Sequence, residues 1–417
     1  MGTPIGSNTV LTYEQALSLV HEKVRLANPA PAVEAVSLEE AGGRVLGEDV
    51  HADRAYPPFH RAIRDGYALR AADVGQPPAV LECIGEVRAG EHFPGAVGRA
   101  QCVSIMTGAP LPDGADAVVM VEHSRAELAS GGRAGHVNVL RSVACWENVV
   151  KQGSEAAAGA VVLRRGGRLT ASELGLLAMV GRAHVTVFRR PAVAILPTGD
   201  EVVPVERQPE WFQIRNSNAV ALSAQVAAAG GIPKLLPIAP DRADRLRELI
   251  ADALRYDLLL LSGGVSMGKF DVVEEALAGM GAEFFFQGVA IRPGKPLVFG
   301  RLQDRFFFGL PGNTVSTFVT FELFARPAIA ALGGAAPEEP VFLRARLAQP
   351  VRFKLGLRAF LPARAQLRDG DPVVALVGWQ GSGDLVGLAQ ANCFLVIPPE
   401  RSDLAAGDWV DVLPKPD

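Results

Sequence analysis

Four short segments between residues 198 and 314 carry the residue types that anion chemistry needs. They are Thr198-Gly199-Asp200-Glu201, Ser262-Gly263-Gly264-Val265-Ser266-Met267-Gly268, Ile291-Arg292-Pro293-Gly294-Lys295-Pro296 and Gly309-Leu310-Pro311-Gly312-Asn313-Thr314. Glycines let backbone N–H groups approach an anion closely, and the N-terminus of a following helix favours negative charge. Arg292 and Lys295 add full positive charge. Carboxylates in the same place repel an anion, so Asp200, Glu201 and Asp271 need a reason to be there. A bound Mg²⁺ supplies one, because a hard cation takes carboxylate oxygens and bridges them to phosphate. The residues by themselves thus predict a metal-assisted site for a nucleotide or another phosphorylated ligand. Each segment also has a plainer reading. Gly263-Gly264 is a turn, Asp271 and Asp241 are helix caps, and Asp200-Glu201 is a solvated acidic pair. Convergence of all four turns at one edge of one sheet favours the ligand.

The elements that must position these segments alternate between strand and helix from Arg189-Arg190-Pro191 onward, as in a parallel α/β sheet whose ligands bind beyond the carboxyl ends of the strands. Ala192–Leu196, Leu235–Ile238, Leu258–Leu261 and Phe306–Phe308 read as strands. Helices are expected from Asn218 to Ala229 with Gly230 as stop, after Asp241 with an apolar face of Leu246, Leu249, Ile250, Ala253 and Leu254, from near Asp271, and from Thr314 to Leu332. Beyond about residue 340, strands with Pro and Gly turns predict a small all-β domain.

Residues 1–8 read as a tail. Thr12 with Gln15 then forms a capping-box signature ahead of Ala16, Leu19, Val20 and Val24 at helical spacing, and Ser37 with Glu40 suggests a second helix start. Tyr56-Pro57-Pro58-Phe59 cannot continue a helix and marks a linker. Val80–Val87, Val103–Met106, Ala117–Val121 and His136–Leu140 are short β-like runs broken by Gly and Pro. Val161–Leu163 returns to strand, and Thr170 with Glu173 caps a helix carrying Leu174, Leu177 and Ala178. The expected division is therefore a discontinuous domain of 9–55 and 148–188, a β-rich insertion of 56–147, an α/β domain of 189–335 and a β domain of 338–417. The fold class is multidomain α/β plus β: a central three-layer α/β/α domain with a parallel-rich sheet, an inserted small β-rich domain and a C-terminal small β-barrel-like domain.

A chain of 417 residues is too long for one core, and 49% hydrophobic with 21% charged residues describes a soluble globular protein. The net charge of −4, without any long block of like charge, argues against nucleic acid or a membrane surface as main partner. Apolar runs such as Leu258–Leu261 fall far short of the about 20 residues a bilayer span needs, and no secretory signal is legible. Cys83, Cys102, Cys145 and Cys393 are widely spaced, which disfavours a zinc site or a disulfide framework and makes a reducing cytoplasm the expected location.

The four segments resemble the molybdopterin-binding domain of the molybdopterin molybdenumtransferases of MoeA type. Outside them, Asp65-Gly66-Tyr67-Ala68 resembles the family's D-G-Y-A segment. Met106-Thr107-Gly108-Ala109-Pro110 with Gly114-Ala115-Asp116-Ala117-Val118-Val119 resembles its T-G-A-P and G-A-D-A-V-V run, and Gln380-Gly381-Ser382-Gly383 with Ala391-Asn392 resembles its C-terminal β segment. The resemblance runs along nearly the whole chain in order. It implies an elongated homodimer of four-domain subunits that takes adenylylated molybdopterin and molybdate, cleaves the pyrophosphate bond with Mg²⁺ to release AMP, and places molybdenum on the dithiolene. Transient contact with an adenylyltransferase partner and with apo-molybdoenzymes is implied as well. Carried over by motif, Asp65, Glu201 and Asp271 handle molybdate and Mg²⁺, with Thr107 at the same cleft. Arg292 and Lys295 meet the phosphates, with Pro293 between them, and Ser382 arrives across the dimer. Thr198, Gly199, Asp200, Asp241, Ser262, Gly263, Gly264, Ser266, Pro311, Gly312 and Asn313 complete the substrate site.

This chain departs from the family's pattern in places. His60-Arg61-Ala62-Ile63-Arg64 stands where a Ser and a Met are usual, Thr314 replaces a Pro, Arg358 is displaced by one position, and Glu155 stands where Asp is common. A non-catalytic scaffold, the adenylyltransferase step and tungstate in place of molybdate are the competing readings.

Overall fold

The computed structural model describes residues 10–27, 30–128, 134–264, 272–336 and 339–415. They form two compact units, one of 1–47, 166–170 and 185–417, the other of 48–165 and 171–184.

In the first unit a six-stranded sheet runs in the order Ile232–Leu235, Ala192–Pro197, Leu258–Ser262, Arg305–Leu310, Val298–Leu302, Glu283–Phe286. The first four strands pair in parallel, and Val298–Leu302 runs antiparallel to both of its neighbours. Side chains alternate across the sheet, so neighbouring residues serve opposite layers. Val193, Ile195, Leu258, Leu260, Phe306 and Phe308 face a core shared with Leu222, Val226, Val319 and Phe324. Ala194, Leu196, Leu259, Leu261 and Phe307 face Leu246, Ile250, Val273 and Leu277. The result is the expected three-layer α/β/α arrangement. Thr12 and Gln15 cap each other's backbone at 3.0 and 3.2 Å ahead of the helix Tyr13–Ala27, whose Tyr13, Ala16, Leu17, Val20 and Val24 join the first of these cores.

Three local expectations are corrected. Ser37 and Glu40 close a turn, with the Glu40 N–H on the Ser37 carbonyl at 3.1 Å; Gly43, at φ +74, follows, and no helix forms. The edge strand covers Ile232–Leu235 and not Leu235–Ile238, because its register is set by pairing Ile232 to Leu235 with Ala192 to Ile195. Asp241 does not cap the helix Ala243–Ala253; Arg242 holds that position and makes no side-chain cap. The helix expected from near Asp271 is described from Val272 to Gly279.

Thr314–Thr320, a π-helical turn Phe321–Ala325 and Arg326–Leu332 make one helical rod. By length and composition it is the one helix among the described residues that could cross a membrane, and 67% of its apolar window is buried inside the fold. In the C-terminal region the strands Arg358–Arg368, Asp371–Leu376, Leu343–Leu347, Trp409–Pro414 and Cys393–Ile397 pair in sequence, and the last closes onto the first, forming a small barrel.

The second unit holds another six-stranded sheet, ordered Ala117–Met120, Gly66–Leu69, Gln101–Ile105, Ala79–Val87, Ala134–Val139, Ser124–Leu128. Val50–His51 pairs with Val161–Leu163, joining the two segments that the sequence suggested form a discontinuous domain.

Candidate active site

Register places the candidate site. Pro197, Ser262 and Leu310 are aligned across three adjacent parallel strands, so the loops that follow them leave the sheet side by side. They wall a cavity of about 390 Å³ with Thr198 and Glu201 from the first loop, Gly263 and Gly264 from the second, and Pro311, Gly312, Asn313 and Thr314 from the third; Ser262 and Pro296 also line it. The opposite wall is Ile214 to Asn218, where the helix Ser217–Ala228 begins.

The walls approach too closely for side chains at the turns. A Cβ on Gly263 would lie 2.7 Å from the Thr198 carbonyl oxygen, and its φ of +98 suits only glycine well. Thr198 is buried, and its hydroxyl Oγ1 has no hydrogen-bond partner among the described residues. Asn218 ties the loops together: its Nδ2 donates to the Gly312 carbonyl at 2.7 Å and to Ser262 Oγ at 3.2 Å, while its Oδ1 is buried without a partner among the described residues. Both oxygens can accept a hydrogen bond, and the Thr198 hydroxyl can also donate one, so a polar ligand finds partners in this wall. Asn313 precedes the helix at Thr314 yet makes no side-chain cap; its Nδ2 donates instead to Ser382 Oγ at 2.9 Å.

The expected site residues divide into several groups. Thr198, Glu201, Ser262, Gly263, Gly264, Pro311, Gly312 and Asn313 surround the cavity, and Ser382 of the same chain accepts from Asn313 at its rim. Gly199 and Asp200 line a neighbouring apolar groove. Asp200 and Asp241 are bound reciprocally, the Asp241 N–H to Asp200 Oδ1 at 3.1 Å and the Asp200 N–H to Asp241 Oδ2 at 3.4 Å, so Asp241 braces the loop. Arg292 is exposed with its guanidinium 5.1 Å above the Phe353 ring, and neither it, Pro293 nor Lys295 lines the cavity. Ser266 and Asp271 lie outside the described residues. Arg215, Asn216 and Asn218 were not singled out from sequence as site residues. An asparagine ahead of an apolar helix reads as a cap, and Asn216 is one, accepting from the Ala219 N–H at 3.1 Å.

In the second unit Asp65 and Thr107 meet because Gly66 pairs with Ile105 in antiparallel strands. Thr107 donates to Asp65 Oδ1 from its backbone N–H at 2.6 Å and from its hydroxyl at 2.7 Å. These two bonds, the backbone one first, hold the Asp65 carboxyl below its ordinary range. The altered segment before it is self-consistent: Arg61 faces Glu155 at 3.5 Å, and His60 Nδ1 accepts from the Gln152 N–H at 3.0 Å.

The site is thus a polar, glycine-walled cavity at the carboxyl edge of a three-layer sheet, in a unit that also holds a closed β-barrel. Residues 11–181 match the MoeA N-terminal region (domain I and II), 194–331 a "Probable molybdopterin binding domain" and 344–415 the MoeA C-terminal region (domain IV). The chain is similar to the molybdopterin molybdenumtransferase of Bacillus subtilis, 34% identical over 91% of this chain and 89% of the relative. It is also similar to that of Staphylococcus aureus strain MSSA476, 32% identical over 92% and 91%. The crystal structure of the molybdopterin biosynthesis MoeA protein from Pyrococcus horikoshii OT3 superposes with a TM-score of 0.81 at 31% identity, covering 98% of this chain and 100% of that one. The chain belongs to the MoeA family of molybdopterin molybdenumtransferases. It is a transferase of molybdenum cofactor biosynthesis.

Proposed function

We propose that the chain inserts molybdenum into adenylylated molybdopterin at the 390 Å³ cavity, with Mg²⁺-dependent cleavage of the pyrophosphate bond and release of AMP. The observation that carries this reading is the alignment of Pro197, Ser262 and Leu310, which delivers three glycine-bearing loops to one pocket. Backbone N–H groups there suit phosphate oxygens, and positioning with charge is what such a transfer asks of a protein. In the balanced reaction the two dithiolene sulfurs bond to molybdenum, one molybdate oxygen leaves as water with the two thiol protons, and a second water cleaves the phosphoanhydride.

Among the described residues no cluster of three or more His, Cys, Asp or Glu could hold a metal by itself. Mg²⁺ binds through one or two carboxylates plus substrate phosphates and water, and Glu201 at the cavity wall, with Asp271 beyond the described segment, fits that donor set. The ion would neutralise phosphate charge there. In this reading Asp65 and Thr107 act on molybdate, and Arg292 and Lys295, which do not line the cavity, meet phosphate oxygens that extend beyond it. The working form is a cytoplasmic homodimer of four-domain subunits.

The test is reconstitution from purified protein, adenylylated molybdopterin, molybdate and Mg²⁺, following AMP release with and without molybdate and activation of an apo-molybdoenzyme. Molybdate-dependent release with activation supports insertion, and Glu201→Gln should abolish it. Tight binding without turnover would leave the scaffold reading in its place.

A further inference from the structure

We propose that a second pocket, walled by Arg44, Arg168, Arg189 and Arg190 and about 230 Å³ in volume, is a binding site for a tetrahedral oxyanion, separate from the cavity described above. Three distant stretches of sequence bring the arginines together where the helix Ser217–Ala228 ends. Arg168 Nη1 donates to the Gly43 carbonyl at 2.8 Å, and Arg190 donates to the carbonyls of Gly230 at 3.2 Å and Gly231 at 2.8 Å. A Cβ on Gly230 would lie 3.7 Å from Arg168 Nη1, so these two guanidinium groups meet at that glycine.

The charge is not balanced. Arg44 is paired with Glu34, and Arg189 with Asp257 at 2.9 and 3.1 Å. Arg168 and Arg190 make no ion pair among the described residues, so four guanidinium groups meet two carboxylates. The helix end offsets about half a charge. Arg190 is held by the carbonyls of Gly230 and Gly231, just beyond the helix end. Nothing of that kind accounts for Arg168, which bonds elsewhere, or for Arg44, whose Nε is buried with no hydrogen-bond partner among the described residues. A buried N–H donor left unmet is costly, and an anion oxygen would satisfy it. The planar fork of a guanidinium matches an oxyanion edge, and converging forks match a tetrahedral dianion. Molybdate, phosphate and sulfate share that chemistry. The inference does not depend on which reaction the cavity performs.

The experiment uses the full-length protein and tungstate, a heavy scatterer of the same shape. Crystals soaked in tungstate should show an anomalous peak among the four guanidinium groups, and equilibrium dialysis should count an equivalent that Arg168→Gln weakens about tenfold or more. Arg168 is exposed and its side chain makes one hydrogen bond among the described residues, so that variant should fold, with a melting temperature in chloride near that of the parent. An Arg168→Lys variant should recover part of the binding. Displacement by molybdate, phosphate and sulfate in separate arms supports the shared chemistry, and the tightest competitor names the source. Absence of the peak, or unchanged stoichiometry and affinity in Arg168→Gln, overturns the proposal.

Discussion

Thr107 grips a single oxygen of Asp65 twice, from its backbone N–H at 2.6 Å and from its hydroxyl at 2.7 Å. Both bonds favour the ionised carboxylate, so Asp65 titrates below the ordinary carboxylate range. Its contribution to stability is present above the unfolded-state pKa and is lost as pH falls through the lower folded value. Thr107→Val removes the hydroxyl bond and should move the Asp65 titration upward, measured by carbon-detected NMR. Turnover should fall by roughly tenfold near neutral pH. An unmoved titration would show that the hydroxyl does not set this carboxylate.

Gly199 lies under the Glu201 carboxylate. A Cβ there would stand 2.6 Å from Glu201 Oε2, and the backbone φ is +131. Gly199→Ala should therefore lower stability by about 1–3 kcal/mol through backbone strain, read by chemical denaturation. It should also displace the carboxylate and reduce activity well beyond what the lost stability explains. Normal activity in a destabilised variant would separate Glu201 from the chemistry.

Cys83 and Cys102 are aligned on adjacent parallel strands. A hydrogen bond from the Cys102 thiol lowers Cys83 to about 6 against the opposing effect of burial, while the same bond and burial push Cys102 up. Alkylation of Cys83 should rise with pH around a midpoint near 6, with Cys102 protected. Cys102→Ala should move that midpoint upward, as measured by peptide-resolved mass spectrometry. Equal labelling of both cysteines at neutral pH would contradict the pairing.

Glu322 is 5% exposed in the π-helical turn, where it accepts from Gln225 Nε2 at 2.6 Å and pairs with Arg326. Glu322→Ala strands a half-buried guanidinium and should cost about 3 kcal/mol in urea unfolding. Glu322→Ala combined with Arg326→Met should recover part of the loss.

Much of this was legible because periodicity reports burial. Ala192–Leu196, Leu258–Leu261 and Phe306–Phe308 are continuous apolar runs, as strands covered on both faces must be, and the loops after them are glycine-rich for close approach. What escaped depends on tertiary partners. Ile232–Leu235 takes its limits from a neighbouring strand, and Asp241 bonds the Asp200 loop although it stands where a cap would. Asn218 links three segments of chain, which no local pattern encodes. Arg61 and Glu155 looked like independent departures, yet they face one another across 94 positions of sequence. Arg292 and Lys295 carried the right charge in the right turn, but backbone direction aims that turn's Pro296 at the cavity instead.

The barrel is closed on itself, and its longest strand also accepts Ile291–Arg292 from the α/β domain in parallel. Phe360, Leu388, Phe394, Val396 and Leu413 of the barrel share one core with the sheet and its helices. The C-terminal region is therefore no detachable cassette. Gene fusion or recombination at a boundary near residue 340 would leave an open strand edge and an uncovered aromatic surface on both products, each prone to aggregate. Inheritance of the two regions as a single piece is what the packing demands.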